Sequence, residues 1–599
     1  MADRAIVDQP ARIAGGRLAR SGLTWLANWG PALPLIAILF LVLVVPVAAM
    51  LLRSFVTADG IGLDAWSSVL GRKINQDAIV TSLQLGLVCA MVSVLVGTPL
   101  AWLISRMVAG RRAAWLGLLN VAAHFGGIGL AFAYVATLGT FGLVTLVLRD
   151  LGLGFDPPAR DSFLALVIAY EHANIPLFVL LVIPAMGMLR EEWAEAAATA
   201  AATRLQFWRR IGVPLLAPFI GAGFVLSFTW SIGIYGIAYA LAGESAALPI
   251  KLITLQIGRS LADDAVHGPE RAAVLAVVLM ALAVGALLVY RMLLGRGLRW
   301  FAIGSVAVTA VARQPATRAR SSGRALMGPA LLFGAFIIYL ALPIIAVVIY
   351  SFAGRWVGTT LPEAYTLANW VDAFGNPRVL GAFATSLTLG LWTTLLVLAL
   401  AVPAVYWART HNARIRPMLE LAAAIPFALP FVVIGFAVLT FTGVVAPGLQ
   451  GTYPLLVLAY VSISFPFVYW AIDGAMAAAD VRRLSEAAAA CGASQLATIR
   501  RVVLPNIRPG IATAAMLAFA LAIGEFALVK VLASSIVTIP VWSATAMTES
   551  AGSLAPLSVV TTVVFVLLFL ISVAIVLVNR GRLMSAMPTA DERALGTIK

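Results

Sequence analysis

Apolar segments about twenty residues long recur from one end of this chain to the other. In lipid such a segment has one stable solution, a helix that crosses ~30 Å of hydrocarbon with every backbone group bonded within it. Six are legible in the first half: Leu33–Leu52, Ile79–Ile104, Trp115–Leu138, Phe163–Met188, Leu215–Leu241 and Ala272–Tyr290. Six more follow: Pro329–Phe352, Ala384–Trp407, Leu419–Phe441, Tyr453–Ile472, Ile511–Leu532 and Leu557–Val578. With 62% hydrophobic and 11% charged residues over 599 positions, against ~25% charged in a soluble domain, the fold class expected is an all-α polytopic membrane protein. The stretch after Leu138 has room for a re-entrant piece. Leu33–Leu52 is long enough to span and lacks a small-residue cleavage site, so it reads as a retained helix and not a signal peptide.

The net charge of +15 is distributed in a way that orients the chain. Arginines gather in alternate loops: Arg4, Arg12, Arg17 and Arg20; Arg106, Arg111 and Arg112; Arg204, Arg209 and Arg210; Arg313, Arg318, Arg320 and Arg324; Arg414 and Arg416; Arg580 and Arg582. The intervening loops carry Asp59, Asp64, Asp150, Asp156, Asp263, Asp264, Glu363 and Asp372. Positively charged loops stay cytoplasmic, which places both termini inside. Basic residues spread over many loops, without interleaved aromatics on one face, do not make a nucleic-acid surface. Cys89 in a span and Cys491 in a cytoplasmic loop imply no disulfide framework.

The chain repeats itself. "EAAATAAATRLQFWRRIGVP", Glu195–Pro214, has a partner in "EAAAACGASQLATIRRVVLP", Glu486–Pro505, and the offset is 291 residues at both ends. Other landmarks agree: "TSLQLGL" at Thr81 returns as "TSLTLGL" at Thr385, Pro99 as Pro403, Pro176 as Pro466, and "SIGIYG" at Ser231 as "AIGEFA" at Ala522. An even number of spans between matching points gives both copies the same orientation, hence two parallel six-helix repeats. The expected organisation is a cytoplasmic segment 1–32, a first transmembrane domain 33–295, an Arg/Ser/Gly-rich linker 296–327, a second transmembrane domain 328–580 and a cytoplasmic tail 581–599.

The repeated loop is built for close approach. Ala196–Ala202 and Ala487–Ala490 favour short helices with the smallest side chain. Thr203 and Ser494 can cap a new helix start. After them Leu205, Trp208 and Ile211, and Leu496, Ile499 and Val502, form an apolar stripe at i, i+3, i+6. Helices lying on lipid headgroups through Arg209, Arg210, Arg500 and Arg501 would look similar. Repetition at fixed spacing favours two equivalent sockets for a partner with two equivalent plugs.

Glu486, Ala487, Ala488, Gly492, Leu504 and Pro505, with Val502 at an isoleucine position, resemble the EAA signature of permease subunits in binding-protein-dependent ABC importers. Glu195, Ala196, Ala197, Ile211 and Pro214 match it in the first copy, with Ala201 for the glycine and Val213 for the leucine. The whole chain is similar to fused two-permease members such as the ferric-iron, thiamine and 2-aminoethylphosphonate importers. The resemblance implies the type-1 permease fold, about 12 transmembrane helices, in a bacterial inner (plasma) membrane. It implies a cytoplasmic ABC ATPase, a homodimer, docking on the two loops, and an extracytoplasmic solute-binding protein that delivers a small solute. Coupling to the ATPase would then fall to Glu195, Ala196, Ala197, Ala201, Arg209, Arg210, Pro214, Glu486, Ala487, Ala488, Gly492, Arg500, Arg501 and Pro505. Ala201 costs conformational freedom at the break, because alanine does not take positive φ readily, so the first socket is expected to be geometrically distinct from the second.

The chain itself offers no engine and no catalyst. Lys73, Lys251, Lys530 and Lys599 all stand outside any Gly-x-x-x-x-Gly-Lys-Ser/Thr setting. No His/Cys/carboxylate group has metal-ligand spacing, so neither cofactor nor metal is expected. Polar residues at membrane depth point to a pathway: Glu171, His172 and Asn174 in the fourth span, and Glu525 after Gly524 in the eleventh. Against that, Glu525 could pair with Lys530, and Asn174 could bond an adjacent helix. The rival reading is an ion-coupled secondary transporter with parallel six-helix repeats, although "SRMVAGRR" after the second span lacks the aspartate that major-facilitator loops usually carry.

Overall fold

The computed structural model describes residues 29–57, 60–124, 126–187, 189, 191–243, 250–263, 268–305, 324–356, 358–549 and 554–585. Arg4, Arg12, Arg17, Arg20, Asp59, Asp264, Arg313, Arg318 and Arg320 lie outside them, as do most of the expected N-terminal segment, linker and tail.

Two strings of elements follow one another in the same order. The first begins with α1 (Gly30–Arg53), a two-stranded hairpin β1 (Val56–Thr57) and β2 (Gly60–Ile61), and a short helix α2 (Asp64–Gly71). It continues through α3 (Lys73–Ser105), α4 (Ala109–His124), α5 (Gly127–Leu138), α6 (Leu143–Asp150) and α7 (Phe163–Gly187). The Ala-rich loop then supplies α8 (Glu191–Thr199) and α9 (Arg204–Phe207), followed by a π-helical turn, Trp208–Gly212. The string closes with α10 (Val213–Gly233), α11 (Gly236–Ala242), α12 (Ile253–Asp263) and α13 (Gly268–Ser305).

The second string repeats this as α14 (Arg324–Phe352), β3 (Ala353–Arg355) and β4 (Ala364–Tyr365), α15 (Ala368–Gly375), α16 (Pro377–Thr410), α17 (Ile415–Ala428), α18 (Phe431–Val445) and α19 (Tyr453–Ala478). It ends with α20 (Val481–Ala490), α21 (Gln495–Thr498), a π turn at Ile499–Val503, α22 (Leu504–Gly524), α23 (Ala527–Leu532), α24 (Ile539–Glu549) and α25 (Leu554–Ser585). A single 3₁₀ turn, Pro447–Leu449, stands where the first string has α6. Local chemistry sets these limits: Asn376 caps α16 by accepting from the Arg378 amide at 2.9 Å, with Pro377 at the first helical position.

Among the described residues eleven helical segments are long and apolar enough to cross a membrane, and the count is twelve if the pair α17 and α18, bent by 100°, is one broken span and not a re-entrant loop. Four segments that hydropathy joins into single spans are broken. Trp115–Leu138 breaks between α4 and α5, where Gly127 takes a φ of +75°. Leu419–Phe441 breaks at Leu429 and Pro430, where proline has no N–H to continue the helix. Leu215–Leu241 and Ile511–Leu532 break one residue past Gly233 and Gly524, at the extended Ile234 and Glu525, which are themselves 291 residues apart. Hydropathy misses such breaks because the flanking residues stay apolar.

The two bundles exchange their first helices. Ala32, Leu35 and Leu39 of α1 are buried among Val397, Ala401, Ala404, Val405, Val461 and Phe465 of the second string. Conversely, Phe336 and Leu340 of α14 fill a core made by Leu100, Ile104, Phe178 and Val182 of the first. Tyr339 donates to the Ile168 carbonyl at 2.6 Å, and Tyr350 to the Phe141 carbonyl at 2.9 Å. Each first helix therefore buries its apolar stripe against the other copy.

Candidate coupling loops and central cavity

The Ala-rich loops share one geometry in three parts. Helix α20 ends in a Schellman turn: the Gly492 amide donates to the Ala489 carbonyl at 2.9 Å and the Ala493 amide to the Ala488 carbonyl at 3.0 Å, with Gly492 at φ +79°. Helix α8 ends the same way, from Ala201 to Ala198 and from Ala202 to Ala197, both at 2.9 Å. Ala201 takes a φ of +56°, so alanine occupies the left-handed position that glycine fills in the other copy. Helix α8 is also shorter than its alanine run suggests, because Ala200–Ala202 belong to the turn, whereas α20 runs through Ala490 as expected.

The second part is a capped short helix. The Gln206 amide donates to Thr203 Oγ1 at 3.2 Å while the Thr203 amide donates to Gln206 Oε1 at 2.8 Å, a reciprocal capping box. Ser494 accepts from the Ala497 amide at 3.3 Å. The third part is the π turn, whose wide ring rotates the helix beyond it. In the first copy it rests on Trp208, which packs edge-on against Trp102 of α3 at 6.3 Å between ring centroids. In the second it rests on the partly buried Ile499 and the buried Val503.

Glu195, Ala196, Ala201, Arg209, Arg210 and Pro214 are exposed, as are Glu486, Ala487, Gly492, Arg500 and Arg501, while Ala197, Ala488 and Pro505 are half-buried. Glu486 pairs with Arg482 one turn earlier at 3.0 Å. Leu205 and Leu496 stand at matched positions, 75% and 65% exposed. The second loop is tied more firmly to its bundle: Tyr406 donates to Ser485 at 3.3 Å, and Gln495 meets His411 Nε2 at 3.2 Å. Below it, Arg409 holds Asp473 at 2.6 Å, joining α16 to α19.

The four helix breaks converge on one cavity of about 280 Å³, lined by both halves. Gly126 and Gly127, Ile234 and Tyr235, Leu429 and Pro430, and Glu525 and Phe526 all face it. Irregular backbone at membrane depth is tolerated where it lines a cavity or is buried in protein. A Cβ on Gly127 would meet the Gly524 carbonyl at 3.2 Å, so glycine is what lets two breaks approach. Tyr235 and Phe526, again 291 residues apart, stack across the junction with centroids 5.6 Å apart and planes at 23°. A larger cleft of about 1190 Å³ lies to one side, lined by second-half residues such as Arg378, Thr385, Thr388 and Tyr453. It does not reach the breaks, so the smaller space is the one between the halves.

The four polar residues expected along a pathway separate. Glu525 lines the cavity, 6% exposed, accepting from the Leu528 amide at 3.0 Å and from Tyr460 at 3.1 Å. Lys530 stands 5.1 Å above the Tyr239 ring. Glu171, His172 and Asn174 are buried within the first half instead: Ser93 donates to Glu171 at 2.8 Å, Asn174 donates to Ser231 of α10 at 2.8 Å, and His172 Nδ1 lies 3.3 Å from the Tyr134 hydroxyl. Their neighbours Ala173 and Leu177 reach the cavity wall. Thr229, Trp230, Tyr235 and Phe526 line the cavity without having been singled out by polarity. For Tyr235 and Phe526 the repeated "SIGIYG" and "AIGEFA" are the visible signal in the sequence; Thr229 and Trp230 have none.

Among the described residues no group of three or more His, Cys, Asp or Glu side chains is placed to hold a metal ion.

Residues 401–583 match the family model of the binding-protein-dependent transport system inner membrane component. The chain is 26% identical over 400 residues to the probable ABC transporter permease protein y4fN of Sinorhizobium fredii, covering 64% of this chain and 66% of that relative. It is 31% identical over 240 residues to a probable molybdenum ABC transporter permease of Haloferax volcanii, covering 38% of this chain and 84% of the relative. Over 168 residues it is 35% identical to the molybdenum transport system permease protein ModB of Azotobacter vinelandii, covering 26% and 74% respectively.

Proposed function

Because this chain belongs to the permeases of type I binding-protein-dependent ABC importers, with two permease units fused in one polypeptide, we propose that its repeats jointly form the translocation pathway for a small solute. An extracytoplasmic solute-binding protein delivers the solute, and a separate cytoplasmic ATPase dimer drives the cycle from the loops around Glu195 and Glu486. A transport permease is not an enzyme, so ATP hydrolysis belongs to the partner. Both termini and both Ala-rich loops lie on the cytoplasmic side, and 33–295 and 328–580 are the two repeats.

One observation carries this reading. Two loops 291 residues apart fold into the same Schellman turn, capped short helix and π turn, although the left-handed turn residue is alanine in one and glycine in the other, and each presents a leucine to solvent. Lone exposed apolar residues are ordinary, but a matched pair on rigid helical elbows suits two equivalent grooves. Closure of the dimer would push both elbows. Each is continuous through its π turn with α10 or α22, whose far ends carry the breaks at the cavity. Motion at the ATPase thus reaches the solute space along two stiff helices.

Co-purification with the ATPase tests it. The wild-type chain should retain the ATPase through gel filtration, and Leu205→Asp with Leu496→Asp should release it while the permease stays monodisperse. Undiminished assembly and uptake in the double variant, or uptake in liposomes on an ion gradient without ATP, would overturn the proposal.

A further inference from the structure

The wall of the central cavity carries its own chemical information. Among the described lining residues Glu525 is the single acidic or basic side chain, and the described wall holds no lysine, arginine or histidine. Around it stand Trp230, Tyr235, Phe431, Phe467 and Phe526. Lys530, five positions beyond Glu525, is absent from that wall and engages the Tyr239 ring instead.

We propose that the solute carries an ammonium group, read by Glu525 and by the aromatic faces around it. This names the substrate class for the pathway proposed above and rests on that reading. A carboxylate offers about four lone-pair sites. At Glu525 they meet the Leu528 amide, shared between both oxygens, the Tyr460 hydroxyl, and the neighbouring backbone amides of Ala527 and Val529. These donors fix the carboxylate at the start of α23, so it is held in place before any solute arrives. Neutral donors do not cancel a buried negative charge, and a cationic ligand supplies the countercharge that the described wall lacks. Aromatic rings attract the same cation through their quadrupoles, most strongly where water is excluded.

An inorganic oxyanion would meet the opposite conditions: a like charge at close range, and no described side-chain cation to offset its desolvation. A cavity of about 280 Å³ holds roughly nine water volumes at ~30 Å³ each, which suits a small organic amine.

Equilibrium binding to the intact chain in nanodiscs, without ATPase or binding protein, tests the inference. Trp230 lies in the wall, so quenching of tryptophan emission reports occupancy, with Trp230→Phe identifying that component. Putrescine and choline should give saturable quenching. Glu525→Gln should weaken it by at least roughly tenfold, and Glu525→Asp, which keeps the charge, should restore most of it. Because Glu525 also caps α23, Phe526→Leu serves as a second variant: it leaves the carboxylate in place and should weaken choline more than putrescine. Saturable quenching by sulfate or molybdate, equal amine affinity in wild type and Glu525→Gln, or no saturable response to either amine would overturn the assignment. None of these outcomes bears on ATPase docking, so the permease reading stands or falls separately.

Discussion

Ala201 and Gly492 occupy the same left-handed turn, φ +56° and φ +79°, which permits a reciprocal exchange. No atom lies within 4 Å of a Cβ built on Gly492, so Gly492→Ala meets no clash and its effect is conformational alone. Holding an L-residue in that region costs about 1–2 kcal/mol, and replacing glycine recovers about 0.4–1 kcal/mol by restricting the unfolded chain; the mid-range values leave a net loss of about 0.8 kcal/mol. Ala201→Gly should stabilise its own turn by the same amount. The energies are too small to read in global unfolding of a chain this large, but local opening reports them directly. At 1.4 kcal/mol per tenfold, hydrogen exchange at the Ala493 amide should accelerate roughly two- to fivefold in Gly492→Ala. Exchange at the Ala202 amide should slow by the same factor in Ala201→Gly. Mass spectrometry on peptides covering the two loops resolves both. Unchanged exchange in Gly492→Ala, or faster exchange in Ala201→Gly, would refute the view that the turn is held open by backbone conformation.

Further expectations follow from packing. Phe178 sits between Gly97 and Gly223, and a Cβ on Gly223 would come within 2.6 Å of its ring; Gly223→Ala should destabilise the first bundle by about 1–3 kcal/mol in thermal unfolding, and Phe178→Leu should recover part of the loss. Arg409 and Asp473 are 18% and 15% exposed at 2.6 Å; Asp473→Asn should cost about 1.5–3 kcal/mol, as for a hydrogen bond to a charged group, and loosen the second coupling loop in the same exchange experiment. Because α1 and α14 fill each other's bundles, a chain cut between Ser305 and Arg324 and expressed as two pieces should co-purify as a complex, whereas either piece alone should aggregate.

Glu171 and Glu525 look alike in the sequence, each an acid in an apolar run near a small or polar neighbour. Only the fold separates them, because Glu525 stands where α22 has already broken, whereas Glu171 lies inside the continuous α7. The same limit applies to Trp115–Leu138, which hydropathy reads as one span. Hydropathy averages side chains over a window and is blind to φ at Gly127.

What the sequence determined by itself was everything that depends on neighbours within a few turns. That includes the helices long enough to cross lipid, the constant offset between the copies, the capping hydroxyls of Thr203 and Ser494, and the strain awaiting an alanine at position 201. Tertiary structure alone decided that α1 and α14 trade bundles, that four breaks meet in one space, and that Tyr235 stacks on Phe526 there. These choices rest on which apolar surfaces bury one another across hundreds of residues. In a chain where nearly every face is apolar, hydrophobicity does not rank the partners, and shape does: small residues that admit close approach, and rings that fill what remains.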